Sequence, residues 1–122
     1  MEVLEAIHTR RSIRKYTNEP VAPELIEKLL RAAMAAPSAT NSQPWCFLII
    51  NRREDLDIVS TYTQLYGALM HAIAAILVCG DTSKVRPGSQ MWAQGCAAAT
   101  QNILLAAHGL GIGAVWLGVF PG

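Results

Sequence analysis

The chain is short of charge. Of its 122 residues 16% are Asp, Glu, Lys or Arg, 52% are hydrophobic, and the net charge is +1 at pH 7. Such a composition is too apolar for a disordered segment. It also offers no broad field for nucleic acid or a membrane surface, so neither is expected as a partner. Cys46, Cys79 and Cys96 are an odd number with no CxxC or CxxH spacing. Their apolar neighbours mark them as reduced core thiols of a cytoplasmic protein, not a disulfide framework or metal site. His8, His71 and His108 are scattered, so no metal is expected. No run of roughly 18 apolar residues exists to span a bilayer. The N-terminal Met-Glu-Val-Leu-Glu is acidic and lacks the apolar core of a signal segment. Nucleophile and nucleotide motifs are missing too: no GxSxG elbow, no GxxxxGK[ST] loop, and no GxGxxG after a strand. The run Gly109–Gly113 leaves a helix and enters a strand, the reverse of a dinucleotide-binding turn. Carboxylates are few in the polar segments, which argues against paired acid–base chemistry.

What is there gathers in two short stretches. Arg10, Arg11, Arg14 and Lys15 crowd a few positions, and three arginines so close repel unless an anion or carboxylates lie between them. Arginine presents a planar fork of donors suited to phosphate. Ser12 adds a hydroxyl, while Ile13 and Tyr16 interrupt the charges, so the segment reads as anchored at intervals. The second stretch is Ala36–Trp45. Pro37 ends the element before it and Pro44 fixes the exit to the element after it. Ser38, Thr40, Asn41, Ser42 and Gln43 lie between, a helix-to-strand loop offering hydroxyls, carboxamides and backbone N–H groups, with Trp45 as an aromatic wall. Each stretch alone is also compatible with a solvated basic turn and an ordinary polar loop.

The remaining pattern is that of one domain. A short helix is expected over Glu2–Thr9, with Val3, Leu4 and Ile7 on one face. A second is expected over Pro23–Ala36, with Pro23 at its first position and Leu25, Ile26, Leu29, Leu30, Ala33 and Met34 in one stripe. Cys46–Ile50 and Ala74–Cys79 read as strands buried on both faces. Between them come a modest helix near Asp55–Ser60, an ambiguous stretch over Thr61–Ala68, and a short helix at Gly67–His71. Gln90–His108 is the longest element and is apolar on nearly every face, so it must be buried all round. So short a chain hardly surrounds it alone, and a second subunit is the natural cover. Gly109 and Gly111 stop this helix. Ile112–Val119 reads as a third strand. An anion clamp, a neutral polar loop and an apolar strand suit a flat ring carrying a phosphate, with the bound group doing the chemistry.

These residues resemble a known family. Arg10–Tyr16 (Arg-Arg-Ser-Ile-Arg-Lys-Tyr), Ala36–Trp45 (Ala-Pro-Ser-Ala-Thr-Asn-Ser-Gln-Pro-Trp), Gln101–Ala107 and Gly109–Trp116 are similar in kind, order and spacing to the FMN-dependent nitroreductases. The likeness covers nearly the whole chain. It implies an α+β, three-layer fold with a mixed central sheet flanked by helices, in an intertwined homodimer built around a long apolar helix. It implies FMN as cofactor, NAD(P)H as reductant and a small aromatic or quinone acceptor, with ping-pong hydride transfer through flavin N5 and no catalytic side chain. Arg10, Arg11, Ser12 and Arg14 would grip phosphate and ribityl. Pro37, Ser38 and Ala39, with Asn41 or Gln43 nearby, would approach the flavin from the other subunit. Trp116, Leu117 and Gly118 would pass the ring, and Gln64 would reach it.

The sequence departs from the family pattern at two places. Gly95 stands where an acidic residue is usual, and residues 1–122 are expected to be a single domain that stops before the usual C-terminal helix, strand and basic tail, as a fragment or as a shortened member. The second departure keeps an alternative in play, a non-catalytic FMN-binding or structural dimer. A specialised relative acting on flavin itself or on halogenated aromatics fits the same residues.

Overall fold

The computed structural model describes residues 1–61 and 67–118. Among these residues the order is α1 (Val3–Thr9), α2 (Pro23–Met34), a 3-10 turn (Ala39–Asn41), β1 (Trp45–Ile50), α3 (Arg53–Ser60), α4 (Gly67–His71), β2 (Ala75–Gly80), a second 3-10 turn (Thr82–Lys84) and α5 (Met91–Gly109). The proline and glycine punctuation thus locates every long element to within about two residues, the usual uncertainty of a helix end.

The structure is organised on α5. Its face Cys96, Ala99, Ile103 and Ala107 is buried against Leu29, Ala33 and Ala36 of the α2 segment, and Trp45 closes the same cluster. Ala33 and Ala99 have no exposed surface at all. Such short side chains let two helix backbones approach closely, and dispersion contacts along the seam replace the bulk of larger residues. One polar bond crosses the seam, where Asn102 Nδ2 donates to the Ala32 carbonyl at 2.9 Å. The turns of α5 that face away are only half-buried, and Met91, Gln94 and Gln101 are exposed.

β1 and β2 pair antiparallel with Trp45 opposite Gly80 and Ile50 opposite Ala75. The pleat sends alternate residues to opposite faces. Phe47, Ile76 and Val78 pack on the α2–α5 layer. Ile50, Ala75 and Leu77 pack on Leu56 and Leu69 of α3 and α4, with Leu117 joining them. Helices therefore cover both faces, a three-layer α+β arrangement. The second layer is tied by Arg53, whose guanidinium donates to the carbonyls of Leu69 (2.6 Å), Met70 (2.9 Å) and Ala72 (3.2 Å), acceptors at and just past the end of α4.

Several local expectations are corrected. β1 is not buried on both faces: α3 and α4 cover the Ile50 end only, so Leu48 is 55% exposed and Cys46 is an exposed thiol, not a core one. β2 is half-buried along its whole length. Met34 leaves the α2 stripe and is exposed, as are Val3, Leu4 and Ile7 of α1, which buries no residue. Residues 112–118 do not form a strand. The Ile112 N–H donates to the Ala107 carbonyl at 2.8 Å as the chain leaves α5, and the Ala114 carbonyl accepts from the Ile13 N–H at 3.0 Å. Val119, and most of the stretch left ambiguous over Thr61–Ala68, lie outside the described residues.

Gly80 is the tightest point of the sheet. A Cβ built there stands 2.2 Å from Cε3 of Trp92, which lies flat on the glycine. Gly80→Ala must displace an indole held between sheet and α5, an overpacking change costing about 1–3 kcal/mol. We expect a lower urea midpoint at unchanged m-value, and an unchanged midpoint would contradict this packing.

Candidate functional site

The polar loop hangs from the N-terminal half of α5. Gly95 faces Ser38 and Pro44, and a Cβ added there would lie 3.4 and 3.5 Å from their side chains, so the helix passes in direct contact. Pro44 is fully buried, and its carbonyl accepts from the Asp81 N–H at 2.6 Å. The loop is folded on itself. The Ser38 hydroxyl accepts from the Gln43 N–H at 3.0 Å, Gln43 Nε2 donates to Asn41 Oδ1 at 3.1 Å, and the Asn41 N–H bonds the Ser38 carbonyl at 3.0 Å. Thr40, Asn41 and Gln43 all have positive φ, at 54°, 56° and 47°. That backbone is unfavourable for non-glycine residues, most of all for β-branched Thr40, and such strain collects at functional loops. Pro37, Asn41 and Gln43 are exposed, while Ser38 and Ala39 are half-buried. Trp45 is not the loop's aromatic wall. It is 6% exposed and belongs to the α2–α5 core, because the first residue of β1 points to that layer.

The basic stretch lies at the other end of α5. The Arg10 N–H bonds back to the Ala6 carbonyl at 3.0 Å, ending α1. Arg11 Nη1 turns back over the same helix end and donates to the carbonyls of His8 (3.2 Å) and Arg10 (2.9 Å). The chain then crosses residues 112–114. There Gly113 is required, since a Cβ would meet Ile13 Cγ2 at 2.9 Å. A cleft of about 150 Å³ opens between Thr9, Arg10, Arg11, Ile13, Leu104, His108, Ile112 and Ala114.

Charge in this corner is unbalanced. The ion pairs among the described residues join Arg31 to Glu27, Arg52 to Glu54 and Asp55, and Arg53 to Asp57. None involves Arg10, Arg11 or Arg14. Arg10, Arg14 and Ser12 have no side-chain hydrogen bond among the described residues either. Arg10 lines the cleft, and a guanidinium without an acceptor at such a place suits an anion. Tyr16 is half-buried, its hydroxyl donating to the Ile13 carbonyl. Burial pushes its phenol above the ordinary value, and the Arg14 charge opposes this only in part. Trp116 is exposed, Leu117 packs on the α3–α4 cluster, and Gly118 is exposed. Gln64 lies outside the described residues.

Two members of the basic corner carry no sequence signal. Thr9 and His108 are 99 positions apart and meet at 2.8 Å. Each reads alone as a helix-terminal polar residue, and only the fold joins them. Along α5 the corner at His108 and the loop at Gly95 are separated by about 20 Å, at roughly 1.5 Å of rise per residue.

Compared with known proteins, the chain matches the nitroreductase family model over residues 7–78 and 60–122. It is 52% identical over 98% of its length to a protein of Archaeoglobus fulgidus that carries the provisional name NADH dehydrogenase/NAD(P)H nitroreductase. It is 53% identical over 99% of its length to one of the same provisional name from Methanothermobacter thermautotrophicus. It spans 69% of the first and 63% of the second, so about two thirds of their lengths. Among solved structures, a provisionally named nitroreductase of Desulfovibrio desulfuricans in complex with FMN superposes with a TM-score of 0.87 at 44% identity, covering 96% of this chain and 68% of that one. The architecture is thus the nitroreductase-like α+β fold. The chain belongs to the nitroreductase family.

The Tyr16 environment gives a pH test. A phenol whose folded pKa is raised holds its proton longer in the native state than in the unfolded chain. Its contribution is therefore complete below the ordinary phenol value of 10.0 and is lost as pH rises through the folded value. Stability should fall with pH above about 10, and Tyr16→Phe should flatten that fall. Denaturant melts from pH 8 to 11, with phenolate absorbance as the titration signal, check both. An equal slope in the variant would rule out Tyr16 as its source.

Proposed function

We propose that this protein is an FMN-dependent NAD(P)H oxidoreductase acting as a homodimer on a nitroaromatic, quinone or similar acceptor. The observation that carries the reading is the basic corner, where arginines without carboxylate partners border a cleft at a helix end. FMN is the group whose phosphate fits them, and a family relative of known structure holds FMN. The chemistry such a group supplies when bound is hydride uptake from NAD(P)H at N5 and, once the nucleotide has left, reduction of the acceptor in the same place.

The chain's own residues bind and orient. Arg10 and Arg14 neutralise the phosphate, and Ser12 hydrogen-bonds it or the adjoining ribityl chain. Arg11, turned onto the end of α1, shapes the corner and adds positive potential. Pro37, Ser38, Ala39, Asn41 and Gln43 present carboxamides and backbone N–H groups to the polar edge of the ring. The Asn41 and Gln43 N–H groups are bonded to the Ser38 carbonyl and hydroxyl within the loop, so the carboxamides of these two residues and the N–H groups of Ser38 and Ala39 face the ring. In one protomer these two sets flank opposite ends of α5, too far apart to hold one ring together. The loop is therefore supplied by the partner subunit, which also covers the half-buried turns of α5. Trp116, Leu117 and Gly118 run beside the ring, and Gln64 reaches it. Residues 1–122 act as one domain. Among the described residues no helix is long and apolar enough to cross a membrane, and the reading places the protein in the cytoplasm.

The test is optical. The purified protein should be yellow or take up added FMN, and NAD(P)H should bleach it under nitrogen. A colourless protein without affinity for FMN would end the proposal. Bound FMN reduced no faster than free flavin would instead select the non-catalytic binding dimer. Arg10→Ala should weaken FMN binding roughly ten-fold, as expected for loss of a charge-assisted hydrogen bond. The affinity should also fall with added salt.

A further inference from the structure

We infer that Thr9 and His108 form a latch that holds the Arg10–Arg14 segment at its cleft, making His108 a positioning residue for the phosphate site. The inference rests on the cofactor reading above and adds to it a residue that takes no part in binding the phosphate. α1 has seven residues and buries none of them. So short a helix is not stable by itself. Its apolar face is open, with Val3 70% and Leu4 60% exposed, so apolar burial does little to fix it in the protomer.

The end of α1 is held instead. The Thr9 hydroxyl donates to the Glu5 carbonyl at 2.6 Å, which uses its single proton. The 2.8 Å contact with His108 Nε2 is then accounted for by the imidazole carrying its proton on Nε2 and donating to Thr9 Oγ1. His108 itself is well fixed. It lies in the last turn of α5, where the Leu110 N–H bonds the Ala106 carbonyl at 3.0 Å and the Gly111 N–H bonds the His108 carbonyl at 3.1 Å. The positive φ of Gly111, 78°, then returns the chain toward α1. Beyond the latch the next tether is the bond from the Ile13 N–H to the Ala114 carbonyl at 3.0 Å. Arg10, Arg11 and Ser12 are thus a short span pinned on both sides to the C-terminal end of α5 and the segment leaving it. Removing the latch frees one side of that span.

The test uses the 122-residue chain, with FMN as the probe. Thr9→Val and His108→Leu keep the volume and remove the bond. Thr9→Ser and His108→Gln keep a hydroxyl and a donor. Amide exchange over residues 3–13 should speed up in the apolar variants, with α2 and α5 protection unchanged. Their FMN dissociation constants, from quenching of flavin fluorescence, should rise about five-fold, the scale of one lost hydrogen bond. The double variant should be no weaker than either single one, because both remove the same contact. Thr9→Ser and His108→Gln should lie within about two-fold of the parent. Unchanged exchange over residues 3–13, or independent and additive losses in FMN affinity, would overturn the latch. A parent protein that binds no FMN would defeat the cofactor reading alone, and the exchange data on the apo variants would still decide the latch.

Discussion

Everything in this protein is referred to the seam between α2 and α5. Ala33 and Ala99 are sealed there without exposed surface, and Ala36 and Ala107 extend the contact. Small side chains give little apolar area each, at about 25 cal/mol per Å² removed from water. They gain instead from proximity, since packed backbones place many atoms within dispersion range. The consequence is positional. With α2 seated closely, the loop leaving it can reach over Gly95, and the far end of α5 becomes a fixed platform for the first helix. Each half of the candidate site is thus carried by one end of the same rigid rod.

The two halves meet their polar requirements in opposite ways. The Ser38–Gln43 loop is largely satisfied from within, hydroxyl to amide and carboxamide to carboxamide. It holds its shape without a ligand and presents neutral groups. The basic corner is satisfied in part, with Arg11 bonded to carbonyls while the charges of Arg10 and Arg14 face no carboxylate among the described residues. Repulsion between neighbouring guanidinium groups is a standing cost that an anion removes. A neutral, pre-formed surface and an unbalanced cationic one are what a molecule with a flat polar ring at one end and a phosphate at the other requires.

The elements were legible because their ends are marked chemically. Pro23 opens α2, Pro37 and Pro44 bracket the loop, and Gly109 and Gly111 close α5. Faces were less legible, because burial depends on what happens to lie opposite. Cys46 and Leu48 have the apolar character of a covered strand, yet the short α3 and α4 stop before reaching them. Trp45 adjoins the loop in sequence but, as the first residue of a pleated strand, it turns to the helical layer. Residues 112–118 have strand-forming composition without a neighbouring strand among the described residues to pair with, so they form no strand and meet Ile13 through Ala114. The basic and polar stretches could be picked out by residue type. The contact between Thr9 and His108 could not, since neither position implies the other until both helices are in place.

Three residues of the polar loop take the left-handed backbone without being glycine. Each such residue costs on the order of 1 kcal/mol, and glycine at any of them would relieve it. Glycine would also multiply the shapes open to the loop before a ligand arrives. The loop as built gives up some folding free energy to keep one contour. A surface that is already in its final shape loses less entropy on docking, so in the proposed site the strain of the resting loop would be returned as affinity.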